Sequence, residues 1–320
     1  PGSRVNERGS EMSCPLTFYL ADDDQRLAAY RNVHEFWDGG RTLEDHLAWR
    51  SISPQHNRAH WYVGCLDGEV VVSLGSYPVQ LRVENELLGG IMIGAVHTIP
   101  RERGNGFAPS LLGWVEELEK SRQATLSMLF TDIGTEYYAR FGYRECPSWE
   151  VRMETARVQA CWQLQQVDAG ENAEQLRRFY ETSTDTDTLA LVRDEDYWDY
   201  IFRKQPEDIT FLAKDENGEP AGYIRVRCRE SEWTIQDWGL ANQSDENLTA
   251  ITLAVAVQAE RKDCPLLGGW MPRWSTGTQA IQFESRAGMN HTMVKSLDET
   301  QELSVPVLEA AQHLREIDHV

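Results

Sequence analysis

The segment with the clearest capacity for chemistry is a polar, glycine-containing stretch that follows an apolar strand. It covers residues 101–107, reads RERGNGF, and leads into a predicted helix. Its two glycines allow tight turns, so successive backbone N–H groups can point at one anion beside the positive end of the helix dipole. The sequence therefore predicts a phosphate-binding loop at this position.

Two other phosphate-binding motifs do not fit this segment. A Walker loop would end in Gly-Lys-Ser or Gly-Lys-Thr, which the stretch lacks. A dinucleotide-binding fingerprint would place Gly or Ala at Pro109 and an acidic residue at the end of a second strand, whereas Ser110 to Arg122 predicts a helix. For the loop taken alone, an ordinary strand-to-helix turn remains the alternative.

A second characteristic segment lies further along the chain. Thr125 to Phe130 predicts a buried strand, which is followed by TDIG at 131–134 and by EYYARFGY at 136–143. In this order, the Arg-x-x-Gly-x-Gly loop and the Tyr-x-x-Phe-Gly-Tyr segment resemble two motifs of the GCN5-related N-acetyltransferase (GNAT) superfamily. The resemblance implies an N-acetyltransferase that uses acetyl-coenzyme A (acetyl-CoA).

The second segment is also similar to the Eis family and to fungal lysine acetyltransferases, which place a degenerate GNAT-like unit after the catalytic one. The resemblance implies an α/β fold of tandem GNAT-like domains, each a mixed, mostly antiparallel central sheet flanked by helices. It is distinct over residues 16–153 and fainter beyond. Because the chain has too few residues for the third domain of Eis proteins, we expect the two-domain type. The predicted division is a tag or disordered N-terminus at 1–14, a catalytic domain at 15–155, and a degenerate GNAT-like domain with a C-terminal tail at 156–320.

The resemblance also implies which residues bind the cofactor and which catalyse. Backbone groups around Ala95, Val96 and His97 hold the acyl and pantetheine part. The pyrophosphate is assigned to the loop residues Arg101, Arg103, Gly104, Asn105, Gly106 and Phe107. Tyr138 corresponds to the tyrosine that protonates the departing thiolate, a role that suits a phenol protonated at neutral pH.

The general base is left open among several residues. In Eis-type enzymes the terminal carboxylate reaches the active site, which nominates Val320. His97 has a side chain of suitable pKa, although a histidine at a strand end is more often structural. Asp132 and Glu136 could instead bind the substrate ammonium or relay its proton through water.

Charge and aromatic residues favour a small cationic acceptor such as lysine, a polyamine or an aminoglycoside. Trp37 and Asp38 pair an aromatic face with a carboxylate, which suits an ammonium ion. The 31 Lys and Arg against 51 Asp and Glu give a net charge of −20, which argues against a nucleic-acid partner. The same charge could simply confer solubility. Protein lysine acetylation and a catalytically silent acyl-CoA-binding module are the alternatives.

The elements that position these residues follow from hydrophobic periodicity and turn signals. The predicted order is a strand at Leu16–Ala21, two helices ending near Trp37 and Arg50, strands at His60–Leu66, Glu69–Val83 and Leu87–Thr98, the helix behind the loop, a strand and a short helix. A similar order repeats with a strand at Gln163–Val167, helices at Asn172–Thr182 and Val192–Lys204, and a hairpin at Ile209–Cys228. The corresponding second loop, 241–247, has no glycine and two carboxylates, so we expect no cofactor there.

Other sequence features bear on the redox state of the cysteines, on metal binding and on cellular location. The six cysteines include no Cys-x-x-Cys pair, and no histidine stands at metal-ligand spacing, so we expect reduced thiols and no metal site. No apolar run is long enough for a membrane span, and the N-terminus lacks a signal-peptide core. We therefore expect a cytoplasmic protein without a membrane partner, and a homo-oligomer is left open.

Overall fold

The computed structural model describes residues 15–286, 290–298, 300 and 302–320, so the predicted N-terminal segment 1–14 lies outside the described residues. The strands are β1 (Thr17–Leu20), β2 (His60–Leu66), β3 (Glu69–Val83), β4 (Glu86–Thr98), β5 (Ala124–Thr131), β6 (Arg144–Glu145), β7 (Trp149–Glu154), β8 (Gln163–Val167), β9 (Leu189–Val192), β10 (Ile209–Lys214), β11 (Pro220–Cys228), β12 (Trp233–Leu240), β13 (Leu266–Trp270), β14 (Gln282–Ser285) and β15 (His291–Ser296). The helices are α1 (Asp23–Asn32), α2 (His34–Trp37), α3 (Leu43–Ile52), α4 (Pro54–Arg58), α5 (Phe107–Ser121), α6 (Thr135–Ala139), α7 (Ala173–Thr184), α8 (Glu195–Lys204), α9 (Asp245–Glu260) and α10 (Val305–Ala310).

Two mixed sheets form within the described part of the chain. The first has the order β1-β2-β3-β4-β5-β15-β6, and β9 pairs with β3 as a branch. The second has the order β14-β7-β13-β12-β11-β10-β8. Pairing is antiparallel except between β4 and β5 and between β12 and β13. Helices pack against both sheets, as the buried face of α5 with Leu111 and Val115 illustrates, which confirms the predicted fold class.

The two sheets exchange strands. β15, from the end of the chain, pairs with β5 and β6 in the first sheet, while β7 pairs with β13 and β14 in the second. One hydrophobic cluster joins Met128 and Val294 of the first sheet to Trp198 and Tyr223 of the second half. A single cut between residues 155 and 156 therefore does not separate the two sheets.

A gap opens between β4 and β5 part of the way along these parallel strands. Their pairing runs from Gly89 opposite Ala124 to Ile93 opposite Leu129 and then ends. The register of β4 against β3 shifts just beyond this point, and Ala95 adopts φ +51°, which is uncommon for a residue with a side chain. This bulge turns the end of β4 away from β5.

Most predicted elements are found, with differences where short helices cap the sheet. Four helices, not two, connect β1 to β2, and Trp37 ends the second of them, α2. The helix behind the glycine loop begins at Phe107, earlier than predicted. Val192 ends strand β9 because the apolar run Leu189–Val192 pairs with β3; α8 begins only after Asp194, whose carboxylate accepts a hydrogen bond from the Tyr197 amide.

Three further observations concern what the described residues lack. None of their helices is both long and apolar enough to cross a membrane. No group of three or more His, Cys, Asp or Glu side chains is placed to hold a metal ion, again within the described residues. The described cysteines, Cys65, Cys146, Cys161, Cys228 and Cys264, are free thiols.

The strand exchange predicts that both sheets unfold in one transition. Val294→Ala in β15 and Ile235→Ala in β12 each remove buried methyl groups, so each should lower the free energy of unfolding by about 2 kcal/mol or more. Scanning calorimetry should show a single transition that either change shifts downward. Val305→Ala, at an exposed position, is the control. Two separate transitions, each sensitive to only one substitution, would contradict the coupling.

Candidate active site

The gap between β4 and β5 leads into a cavity of about 310 Å³. Its walls come from both strands, from helices α2 to α4, from α6 and from the end of the chain. The lining residues are Trp37, Trp49, Arg50, Gln55, His56, Tyr77, Ile93, Gly94, Ala95, Val96, Leu129, Phe130, Thr131, Asp132, Ile133, Tyr138, His319 and Val320. Residues far apart in sequence thus converge on one space.

The predicted phosphate loop lies at the N-terminus of α5. Gly104 and Gly106 adopt φ +86° and +77°, left-handed conformations that glycine adopts without strain. Gly106 precedes the helix without a side-chain cap, and the first turn of α5 carries no acidic residue. No described group accepts a hydrogen bond from the amides of Gly104, Asn105 or Gly106. These amides and the helix dipole form a site suited to an anion.

The two arginines before this loop have different surroundings. Arg101 is paired with the carboxylates of Glu69 and Glu102. The Arg103 Nε donates to the Thr98 carbonyl at 3.1 Å, and its guanidinium lies over the Phe36 ring. Arg103 forms no ion pair with any described carboxylate, so it keeps more of its positive charge available to an anion than Arg101 does.

Tyr138 projects from α6 into the cavity and is only 8% exposed. Burial raises its pKa, and the neighbouring Tyr137 and the Asp132 carboxylate raise it further. The phenol is therefore protonated at neutral pH. Its ring packs edge-on against Tyr137 and Tyr143, which fixes its orientation. A buried, protonated hydroxyl beside the strand gap can donate a proton to a leaving group.

His97 is buried on β4 but is not among the described residues that line the cavity. Its ring lies 5.4 Å from that of Phe36, and its Nε2 atom has no described hydrogen-bond partner. Burial and, to a lesser extent, the nearby Arg103 lower the pKa of His97 to about 4. The structure thus does not bring this imidazole to the residues that surround Tyr138.

The last residue of the sequence, Val320, reaches the cavity and lies against β4. A Cβ atom placed on Gly94 would be 3.2 Å from the main-chain carbon and oxygen of Val320. A larger residue at position 94 would therefore displace the end of the chain. Val320 lines the same cavity as Tyr138.

The segment before Val320 is held by residues of the second half. The Lys204 Nζ donates to the carbonyls of Ile317 and His319. The fully buried Arg193 pairs with Asp318 at 2.8 Å and with Asp237 of β12 at 2.8 Å. Because both ions of each pair are removed from water, breaking one of these contacts would leave an uncompensated charge. The second half therefore fixes where the chain end lies.

The four predicted acceptor residues divide into two pairs. Trp37 and Asp132 line the cavity. Asp38 and Glu136 are not among the described lining residues; Asp38 instead accepts a hydrogen bond from the Gly40 amide at 2.9 Å, and Glu136 is exposed. The Asp132 carboxylate accepts a hydrogen bond from the Asn290 amide at 3.3 Å.

Sequence reasoning missed the wall formed by α3 and α4. It contains Arg50 and His56, both buried. Burial lowers the pKa of Arg50 to about 10, and it lowers the pKa of His56 to about 2 with a further contribution from Arg50. No sequence pattern marks these residues, because a polar residue in a short helix normally indicates an exposed face.

The buried neutral state of His97 predicts an acid-dependent loss of stability. The unfolded histidine binds a proton below about pH 6.5, whereas the folded one binds it only near pH 4. The free energy of unfolding should therefore fall as the pH decreases from about 6.5 to about 4. In His97→Asn this part of the decrease should be absent when urea unfolding is measured across the range. An identical pH dependence in both proteins would contradict the assignment.

Comparisons with known proteins agree with this architecture. The model of the family "Acetyltransferase (GNAT) domain" matches residues 21–146. No curated protein sequence matches the chain. A conserved protein from Enterococcus faecalis V583, a probable N-acyltransferase, has a TM-score of 0.71 at 15% identity over 89% of this chain and 73% of its own.

Two further structures share the two-sheet fold. Eis1 from Mycobacterium abscessus has a TM-score of 0.58 at 14% identity, over 89% of this chain and 74% of its own. A tandem GNAT protein from the clavulanic acid biosynthesis pathway has a TM-score of 0.53 at 12% identity, over 90% of this chain and 100% of its own. The family match thus assigns a GNAT domain to residues 21–146, and the structural likenesses show that the chain has the fold of tandem GNAT proteins.

Proposed function

We propose that the protein transfers the acetyl group of acetyl-CoA to the amine of a small acceptor. One observation carries the proposal: Tyr138 and Val320 line a cavity at the gap between β4 and β5, and the loop that leaves the end of β4 presents amides suited to an anion at the start of α5. The family match over residues 21–146 supports an acyl-CoA donor. The cavity volume of about 310 Å³ is in the range of small-molecule sites, which supports a small acceptor.

The residues around the gap fit the donor. The amides of residues 104–107 at the start of α5 would bind the pyrophosphate, with added positive charge from Arg103. Backbone groups of Ala95 and Val96 would hold the acyl and pantetheine part, because β4 has no pairing with β5 beyond Ile93. When bound there, acetyl-CoA supplies an activated thioester carbonyl.

Groups of the chain itself would carry out two proton transfers, one from the acceptor ammonium and one to the thiolate. An acceptor ammonium must lose a proton before it can attack the thioester. In a chain that ends at Val320, the carboxylate of that residue lies where it can take that proton directly or through water. The phenol of Tyr138 donates its proton to the departing thiolate. Asp132 and Trp37, a carboxylate and an aromatic face on the cavity wall, attract the cationic form of the amine.

Tyr138→Phe tests the role of the phenol. The ring and its packing are retained while the donor is lost, so turnover should fall at least about tenfold and the affinity for acetyl-CoA should stay nearly unchanged. Thiol release with a panel of amines measures turnover, and calorimetry measures affinity. The neighbouring Tyr137→Phe is the matched control. Unchanged turnover would remove Tyr138 from the mechanism, and the absence of acetyl-CoA binding at millimolar concentration would overturn the proposal.

A chain that ends at His319 tests the role of Val320. The carboxylate then withdraws from β4, so turnover should fall about tenfold or more, with the largest loss at low pH, where the largest fraction of the amine is protonated. Melting temperature should change little, because the Arg193–Asp318 ion pair and the hydrogen bond from Lys204 Nζ to the Ile317 carbonyl remain. Val320→Ala, which keeps the carboxylate in place, is the control. A pH profile unchanged by the deletion would exclude the terminal carboxylate.

A further inference from the structure

The guanidinium of Arg50 is the buried charge that the proposed reaction leaves unused. Arg50 is only 4% exposed and lines the cavity. Its Nε lies 3.0 Å from His46 Nε2, and the rings of Tyr30 and Trp49 lie 5.6 and 5.7 Å from its guanidinium carbon. These contacts engage the Nε edge of the guanidinium and place two aromatic rings beside it.

One terminal nitrogen of this guanidinium is buried without an acceptor in the described part of the chain. The Nη1 atom is buried and makes no hydrogen bond to any described residue, and Arg50 forms no ion pair with a described carboxylate. His56, on the same wall, has a buried Nδ1 atom that also lacks a described partner. A buried charge without a counter-ion is costly, so its retention in a binding cavity points to an anionic ligand group.

Charges are distributed unequally over the cavity wall. Arg50 lies on the side of α3, whereas Asp132 and the chain end at Val320 lie near the strand ends and Tyr138. A ligand that carries a positive amine and a negative group would match both sides. Arginine binds planar carboxylates with two parallel hydrogen bonds, which makes a carboxylate the natural partner.

We propose that Arg50 binds the carboxylate of the acceptor, so that the substrate is a small amino acid or another amine that also carries a carboxylate. This inference rests on the proposed acetyl transfer, and it narrows the acceptor class. Polyamines and aminoglycosides lack the anionic group and would leave Arg50 without a partner. The amine of the acceptor is directed towards Val320 and Tyr138.

The test compares amino acids with their own amides as acceptors. The probes are α- and ω-amino acids, L-lysine among them, each paired with its amide and assayed by thiol release. For the true acceptor, kcat/KM should be at least about tenfold higher for the acid than for the amide. Arg50→Gln should lower kcat/KM for the acid about tenfold to a hundredfold and abolish the preference. Arg50→Lys, which keeps the charge without the planar fork, should lie between them.

Two controls separate binding from folding. Arg31→Gln changes an exposed arginine on α1 and should leave every parameter unchanged. Arg50→Gln should keep the melting temperature and the acetyl-CoA affinity, because it removes an uncompensated charge and leaves the loop at α5 intact. Calorimetric titration of the same acids into the CoA-bound protein gives a readout besides turnover, and binding should be lost in Arg50→Gln.

The outcomes distinguish this inference from the proposed function. Equal turnover of acids and amides, or an acid preference that survives Arg50→Gln, would overturn the role of Arg50 while acetyl transfer stands. If acetyl-CoA does not bind, the proposed function fails. The role of Arg50 is then decided by titrating the acids into the protein alone, and binding that is absent or independent of Arg50 rejects it.

Discussion

The separation of β4 from β5 beyond Ile93 is the constraint on which the site depends. Unpaired strand ends leave backbone groups free and create a space that other elements line. The bulge at Ala95 maintains this separation, because its left-handed backbone conformation interrupts the register with β3. Tyr138 and Val320 line this opening together, and the glycine loop follows the end of the same strand β4.

The second half of the chain supports the site in the first half, and this support does not depend on a second cofactor site. It contributes β15 to the first sheet and takes β7 in return, so neither sheet is complete within one half of the sequence. Its buried Arg193 and half-buried Lys204 hold the segment that leads to Val320. The corresponding loop before α9 is capped by Ser244 and followed by Asp245 and Glu246, which disfavour an anion at that helix end.

Two buried arginines differ in whether the protein itself supplies a counter-ion. Arg193 has carboxylates on two sides, and its charge is balanced within the protein. Arg50 is similarly buried but has a histidine and aromatic faces instead of a carboxylate. The desolvation of the Arg193 charge is offset by its ion pairs. The charge of Arg50 gains a counter-ion only when an anion enters the cavity.

The sequence determined the GNAT architecture, the order of most strands, and the glycine loop, because these depend on local periodicity and on backbone conformations that only a few residue types adopt. The resemblance also nominated Tyr138 and Val320, but only the tertiary structure shows that both line one cavity. Tertiary structure alone decided that His97 is not among the described residues that line the cavity, that β15 enters the first sheet, and that Arg50 is buried without a counter-ion. Long-range pairing and burial depend on contacts between distant segments, and no local pattern encodes them.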